Sequence, residues 1–288
     1  MFIDSFKQHF ESVADPRQSA KVTYPFFDIL FGSLCAVIAG AHGWFDIREY
    51  LLGHHKWFLE LGMFKAGIPA DDTIARTISA IKPEQFQACF LKWMAAVHTL
   101  TQGELIAIDG KTLRGSYNRE DRSSTIHMIS AYATANKLVL GQLKTDKKSN
   151  EITAIPELLQ LLDLQGALVS IDAMACQTKI AKTIIEQKGD YLLAVKGNQG
   201  NLSKAVQQAF SALRNDASSL EALQTEKQHG RIESRLCQVL DASTLEGNFS
   251  RWKGLKTLAM ITSFRTEKGK PVSMEYRYYI SSKIMSAE

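Results

Sequence analysis

Two segments, Leu105-Ile106-Ala107-Ile108-Asp109-Gly110-Lys111 and Ala167-Leu168-Val169-Ser170-Ile171-Asp172-Ala173, each carry a short apolar run into an aspartate. Runs of this kind are the signature of strands buried on both faces, and such a strand cannot bury an unpaired acid. Asp109 and Asp172 therefore belong at strand ends, where open α/β sheets present their ligands. If the two strands are neighbours, their backbones lie about 5 Å apart and the carboxylates converge at one edge. Like charges that close call for a cation between them. A divalent ion, with magnesium favoured by hard oxygen ligands, points to chemistry on a phosphate. Taken singly, each aspartate is also a plain cap for the turn that follows it.

Three further segments could serve that chemistry. Gly110-Lys111-Thr112-Leu113-Arg114-Gly115-Ser116 follows the first acid with two cations among glycines, so Lys111 and Arg114 could hold a phosphodiester backbone. Its glycine spacing excludes a Walker motif. Lys196, Asn198 and Gln199 end the last core strand beside a helix N-terminus, a natural place for a substrate strand. In His229-Gly230-Arg231-Ile232-Glu233-Ser234-Arg235 the alternation puts His229, Arg231, Glu233 and Arg235 on one face. Arg231 is then a DNA contact, and Glu233 either its salt partner or a third metal ligand. A solvated loop, an ordinary turn and a mixed charged face are the bland readings of the same three segments. His42, His54, His55, His98 and His127 have no ligand spacing beyond one adjacent pair, and Trp44, Trp57 and Trp93 fit helix-packing faces.

The elements that must position these residues follow from periodicity. Residues 1–101 read as a helical bundle: Tyr24 to Ala41, then Gly43 to Leu52, then a helix capped near Asp71, then Pro83 to Thr99. Within it, Asp71 to Ala80 could be a recognition helix offering Thr73, Arg76 and Thr77, or could simply pack. From residue 102 the period becomes strand-like. Strands to Asp109, His127 to Thr134 and Lys137 to Thr145 precede alternating helices and strands through Leu213. That is the order of an RNase H-like α/β core. A polar linker, Arg214 to Gln228, leads to further β segments that read as a β-rich insertion.

Composition sets the frame. The chain has 288 residues, 45% hydrophobic and 22% charged, enough for about two globular domains and too apolar for disorder. Its net charge of +4 permits nucleic-acid binding without demanding it. Four scattered cysteines argue against a zinc knuckle or a disulfide framework and for reduced thiols. No signal peptide is visible, and Ile29 to Ala41 is too short to cross a bilayer, so a cytoplasmic protein without membrane contact is expected.

Taken in order, several motifs resemble one family. They are Asp15-Pro16-Arg17, Tyr24-Pro25-Phe26-Phe27-Asp28, Gly67-Ile68-Pro69, Ala107-Ile108-Asp109-Gly110-Lys111, Ser149-Asn150-Glu151-Ile152, Ile171-Asp172-Ala173-Met174-Ala175-Cys176-Gln177, Leu193-Ala194-Val195-Lys196-Gly197-Asn198-Gln199, His229-Gly230-Arg231-Ile232-Glu233 and Tyr278-Tyr279-Ile280-Ser281-Ser282. The whole chain is similar to the H-repeat-associated proteins of Rhs elements, bacterial insertion-sequence transposases of the DDE type. The resemblance implies an RNase H-like core in which three carboxylates hold two Mg²⁺ or Mn²⁺ ions for cleavage and transfer of DNA strands. It implies binding of terminal inverted repeats and target DNA as a homodimer, with Asp109 and Asp172 matching the first two acids.

The family's third acid lies on a helix after the β insertion, in a Trp-x-Ile/Val-Glu-Asn context that precedes an acidic run. This sequence reaches Glu288 without that context. Glu233 could substitute only if its strand bends back over the site. The expectation is a truncated transposase with reduced or absent cleavage and retained DNA affinity. The alternative is a regulatory DNA-binding protein that occupies transposon ends or inhibits full-length transposase.

Overall fold

The computed structural model describes residues 2–97, 104–113, 126–135, 137–145, 151–213, 220–228, 231–267 and 271–287. The chain divides into two compact units, Met1–Val97 and His98–Glu288.

The first unit is helical: α1 (Phe2–Phe10), α2 (Phe26–Ile38), α3 (Trp44–Gly53), α4 (His55–Glu60), α5 (Asp71–Ser79) and α6 (Pro83–Val97). Aromatic rings hold α1 against α6, with Phe6 stacked on Phe10 at 4.1 Å and edge-on to Trp93 at 5.3 Å. On α2, Gly32 lets two elements close up, since a Cβ there would meet Leu51 Cδ2 at 2.7 Å and Phe64 Cζ at 2.9 Å. Asp28 is buried, and its Oδ2 accepts a 2.7 Å bond from the amide of Phe64, a residue held at φ 50°. Burial pushes the Asp28 carboxyl above its ordinary range.

Two details differ from the sequence reading. Thr77 is only 2% exposed and donates to the Thr73 carbonyl, so α5 offers no Thr77 to a ligand. Trp93 packs as expected, whereas Trp44 and Trp57 are 40% and 43% exposed.

The second unit is built on one sheet. Its strands are β1 (Leu105–Thr112), β2 (His127–Ala133), β3 (Leu138–Thr145), β4 (Leu168–Ile171), β5 (Asp190–Val195), β6 (Leu220–Gln228), β7 (Arg231–Asp241), β8 (Thr257–Glu267) and β9 (Ser273–Ser281). They lie in the order β3-β2-β1-β4-β5-β9-β8-β7-β6. β1 runs parallel to β4, and β4 to β5; every other pairing is antiparallel. Between strands run α7 (Glu151–Gln160), α8 (Thr178–Glu186) and α9 (Gly200–Leu213).

Register gives the two faces of this sheet different characters. Ile108, Ile171, Leu193, Ile280, Leu258 and Leu240 face one another along successive rungs. All are buried in one cluster with Leu158 of α7, Ile184 of α8 and Val206 of α9. The residues next to them alternate to the opposite face. That opposite face carries both aspartates.

The expected linker before β7 is shorter than its polarity suggested. Leu220–Gln228 forms β6, an edge strand paired residue by residue with β7. An edge strand with Glu221, Glu226 and Lys227 keeps charges in water while its backbone bonds are satisfied on one side, so its hydrophobic pattern is weak.

Candidate active site

Asp109 lies one residue past the last rung shared by β1 and β4, Ile108 opposite Ile171. Asp172 directly follows Ile171, so the two acids take the next position on adjacent parallel strands, their backbones roughly 5 Å apart. β1 itself continues to Thr112 along β2, so what ends at Asp109 is its pairing with β4, not the strand. Both carboxylates are exposed.

The two acids are held differently. Asp172 caps the short 3₁₀ turn Ala173–Ala175, its Oδ1 accepting from the Met174 amide at 3.2 Å and the Ala175 amide at 3.4 Å. The capping reading is therefore correct for Asp172, and it also fixes the direction of the carboxylate. Asp109 has Lys111 Nζ at 3.8 Å from its Oδ2, but the side chains are 65% and 77% exposed. Water screens such a pair, and its median worth is about 0–1 kcal/mol. Asp109 is therefore only loosely held by its lysine.

The turn after Asp172 is clamped by the β5–α9 connection. Asn198 Nδ2 donates to the Ala173 carbonyl at 2.6 Å, and Gln199 Nε2 donates to the Cys176 carbonyl at 2.9 Å. Gln199 Nε2 also lies 3.4 Å from Gln177 Oε1. Both amide groups expected at the substrate are thus engaged with protein beside Asp172. Lys196, two residues earlier, is exposed at the same edge. Cys176 is buried beneath the turn, and burial pushes its thiol up to about 12, so it packs as a protonated thiol.

Glu233 and Arg231 lie elsewhere. They belong to β7, four strands from β4 in the sheet order. Glu233 Oε2 accepts from Arg231 at 2.6 Å, while its Oε1 lies 3.2 Å from Arg235 and 3.7 Å from Arg265. The hydrogen bond from Arg231, with Arg235 and Arg265 close by, holds the carboxyl below its ordinary range. Among the described residues no three His, Cys, Asp or Glu side chains converge as metal ligands, so Glu233 does not join the aspartates. The sequence reading had the Arg231 pairing among its options and missed Arg265, whose approach depends on long-range pairing of β7 with β8. Arg114 and His229 lie outside the described residues.

The histidines disperse. His54 stacks on Tyr50, His55 Nε2 lies 3.1 Å from the Phe64 carbonyl, and His127 bonds the Thr112 hydroxyl at 2.8 Å. All four cysteines are free. Among the described residues no helix is long and apolar enough to cross a membrane.

Known proteins resemble this chain along its whole length. Residues 100–288 match the Transposase DDE domain, and residues 7–94 match its associated domain, DDE_Tnp_1-associated. The H repeat-associated protein YhhI of Escherichia coli K12 is 47% identical over 294 residues, spanning all of this chain and 78% of that protein. YbfD of the same strain is 47% identical over 243 residues, 84% of this chain and 96% of its own length. A protein from the dhlA 3′ region of Xanthobacter autotrophicus is 39% identical over 280 residues, covering 96% of this chain and 94% of that protein. Among solved structures, a chain of the piggyBac transposase synaptic complex with hairpin DNA aligns over all of this chain and 62% of its own, with a TM-score of 0.45 and 14% identity. Matched along its whole length to H repeat-associated relatives and over most of it to the DDE domain, the chain belongs to the DDE-type transposases.

Proposed function

We propose that this protein acts on the ends of an insertion sequence, with Asp109 and Asp172 as the metal-holding acids of a DNA strand-transferring core. The observation that carries the reading is the rung Ile108–Ile171, which sets the two acids side by side. An RNase H-like core is supported by the run β3-β2-β1-β4-β5, an antiparallel three-stranded meander followed by two parallel strands joined through α8.

The residues at the edge fit a divalent ion. They are hard oxygen donors, exposed and paired by register. Asp109 and Asp172 would hold Mg²⁺ or Mn²⁺, which supplies Lewis-acid polarisation of the scissile phosphate and a more acidic water or 3′-hydroxyl. The chain's own contributions are positional. Asp172 is oriented by the amides of its turn, and that turn is held by Asn198 and Gln199. Lys111 and Lys196, exposed at the same edge, suit contacts to the phosphodiester backbone on either side of the acids. Arg231 serves the same backbone further out.

Two acids rather than three meet among the described residues, so strand cleavage by this chain is expected to be weak compared with its metal and DNA binding. The test is Mn²⁺ binding followed by electron paramagnetic resonance, beside duplex binding in the same buffer. Asp109→Asn and Asp172→Asn should each abolish tight Mn²⁺ binding and leave the fold's melting profile intact. Unchanged Mn²⁺ affinity in both variants would remove the acid pair from the proposal.

A further inference from the structure

Glu233 is a carboxylate shared by three guanidiniums. Its side chain is 16% exposed, and the guanidinium groups of Arg231, Arg235 and Arg265 all turn to it, within 2.6, 3.2 and 3.7 Å. A second acid, Glu226 on β6, lies opposite Glu233 in register and reaches Arg235 at 3.6 Å from an exposed position. Glu275 on β9 also feels Arg265, so the three guanidiniums belong to a mixed charged network in which Glu233 is the acid they share. Each arginine turns Nη2 to Glu233, and Arg235 turns Nη1 to Glu226, which fixes three planar forks of the kind that suit phosphate oxygens.

Register places this cluster relative to the acid pair. Asp172 is level with Ala194 of β5, and Ala194 is level in turn with Tyr279, Ala259 and Val239 on β9, β8 and β7. Glu233 is six residues beyond Val239, about 20 Å further in the direction of the carboxyl edge, and four strand spacings or about 19 Å sideways. By alternation Asp109, Asp172, Lys196, Arg277, Arg265 and Glu233 project from the same face, opposite the buried cluster. Arg277 stands between the two sites, its guanidinium paired with Glu275 at 3.0 Å. Cations therefore recur along one open face from the acids outward.

We propose that Glu233 organises Arg231, Arg235 and Arg265 into a phosphate anchor for duplex DNA whose reacting end lies at Asp109 and Asp172. The inference rests on the strand-transfer reading and adds a subsite to it. A separation near 28 Å corresponds to about eight base pairs at 3.4 Å each, so the anchor grips the flank and not the cleavage point. Glu233 touches no DNA in this arrangement; it is a positioning residue that fixes three forks at once. A contact to phosphate carries no sequence information, so the anchor sets register and orientation for any end sequence.

The experiment measures binding of the full chain to a 30-base-pair duplex of arbitrary sequence by fluorescence anisotropy, at several salt concentrations. Arg235→Ala and Arg265→Ala should each weaken binding several-fold and lower the slope of log K against log salt by about 0.9, the value for one lost phosphate contact. Glu233→Gln is the deciding variant, since it makes the protein more positive while releasing the forks. The organising role predicts several-fold weaker binding. Simple charge summation predicts tighter binding, and that result, or no change, overturns the proposal. Arg235→Lys and Arg265→Lys keep the charge without the fork, and should retain the salt slope while still losing affinity. They also stand in should an alanine variant melt below the wild type. Wild-type binding with unaltered arginine variants removes the anchor alone. Absence of wild-type duplex binding at low salt removes both the anchor and the DNA reading beneath it.

Discussion

Two acidic sites share one face of one sheet and solve opposite problems. At the β1–β4 edge, Asp109 and Asp172 stand side by side with a single exposed lysine 3.8 Å away. On β7, Glu233 is shared by three arginines. The first site sets two acids side by side at an edge, and the second gathers three guanidiniums on one acid. Their residue types overlap, so composition alone would not separate a cation site from an anion site. What separates them is strand pairing. A parallel rung brings like charges together at the edge, whereas an antiparallel ladder lays Arg265 directly opposite Glu233.

The largest effect expected from this contrast is at the edge. Replacing both acids together, Asp109→Asn with Asp172→Asn, should lower Mn²⁺ affinity by at least about 100-fold, because no hard anionic donor remains there. Titration of Mn²⁺ by paramagnetic resonance measures it. Retention of even a tenth of the affinity would place the ion elsewhere. The converse measurement sharpens the division. Glu233→Gln should leave Mn²⁺ affinity within about twofold, since three strands separate β7 from β4 and salt screens exposed charges beyond about 10 Å. A Glu233 effect on Mn²⁺ as large as that of the aspartates would merge the two sites into one.

Much of the edge was legible before any coordinates. Two short apolar runs ending in aspartate mark the strand ends, but their adjacency is set by the parallel pairing of β1 with β4, and β1 buries only alternate residues instead of both faces. The local turn chemistry at Asp172 was legible, since a cap acts within three residues. The far end of the sheet was less so. Alternation along β7 placed Arg231, Glu233 and Arg235 on one face, but nothing local to that segment brings in Arg265, which is 32 positions away from Glu233 in sequence and opposite it in register. β6 escaped because an edge strand can be almost wholly polar, and Asn198 and Gln199 were assigned to substrate because amide side chains suit a nucleic-acid strand and a carbonyl equally well.

Those amides give a smaller test of the same contrast. Asn198→Ala removes a 2.6 Å bond to the turn that carries Asp172. The loss of one such bond costs about 0.5–1.5 kcal/mol, or roughly two- to twelvefold in an equilibrium. If the clamp serves the metal-holding acid, Mn²⁺ affinity should fall within that range while duplex affinity of the arginine cluster stays unchanged. If Asn198 instead touches DNA, the order reverses, and duplex binding falls while Mn²⁺ affinity holds.

The smallest effect concerns a third acid, which has neither arginines nor an open edge. Asp28 is buried in the helical unit, where desolvation raises its carboxyl above the ordinary value of 3.8, partly offset by the Phe64 amide and by Lys65. A raised folded value means that the protonated acid favours folding. Its contribution is fully present below the ordinary value and is lost as pH rises through the folded value, so at neutral pH the unit carries the cost of a buried charge. Asp28→Asn keeps an oxygen for the Phe64 amide and does not ionise. It should raise the melting temperature by a few degrees at pH 7, with the gain shrinking as the solution is acidified toward pH 4. Asp28→Ala removes the acceptor and leaves the Phe64 amide buried, at a cost of about 1–3 kcal/mol, so it should melt lower at every pH. Opposite signs for the two substitutions at pH 7 would mark Asp28 as an acid kept for its shape and its acceptor, not for its charge. Equal losses in both would mean that the ionised form is itself stabilised, and Asp28 would then belong with Glu233 as a compensated anion.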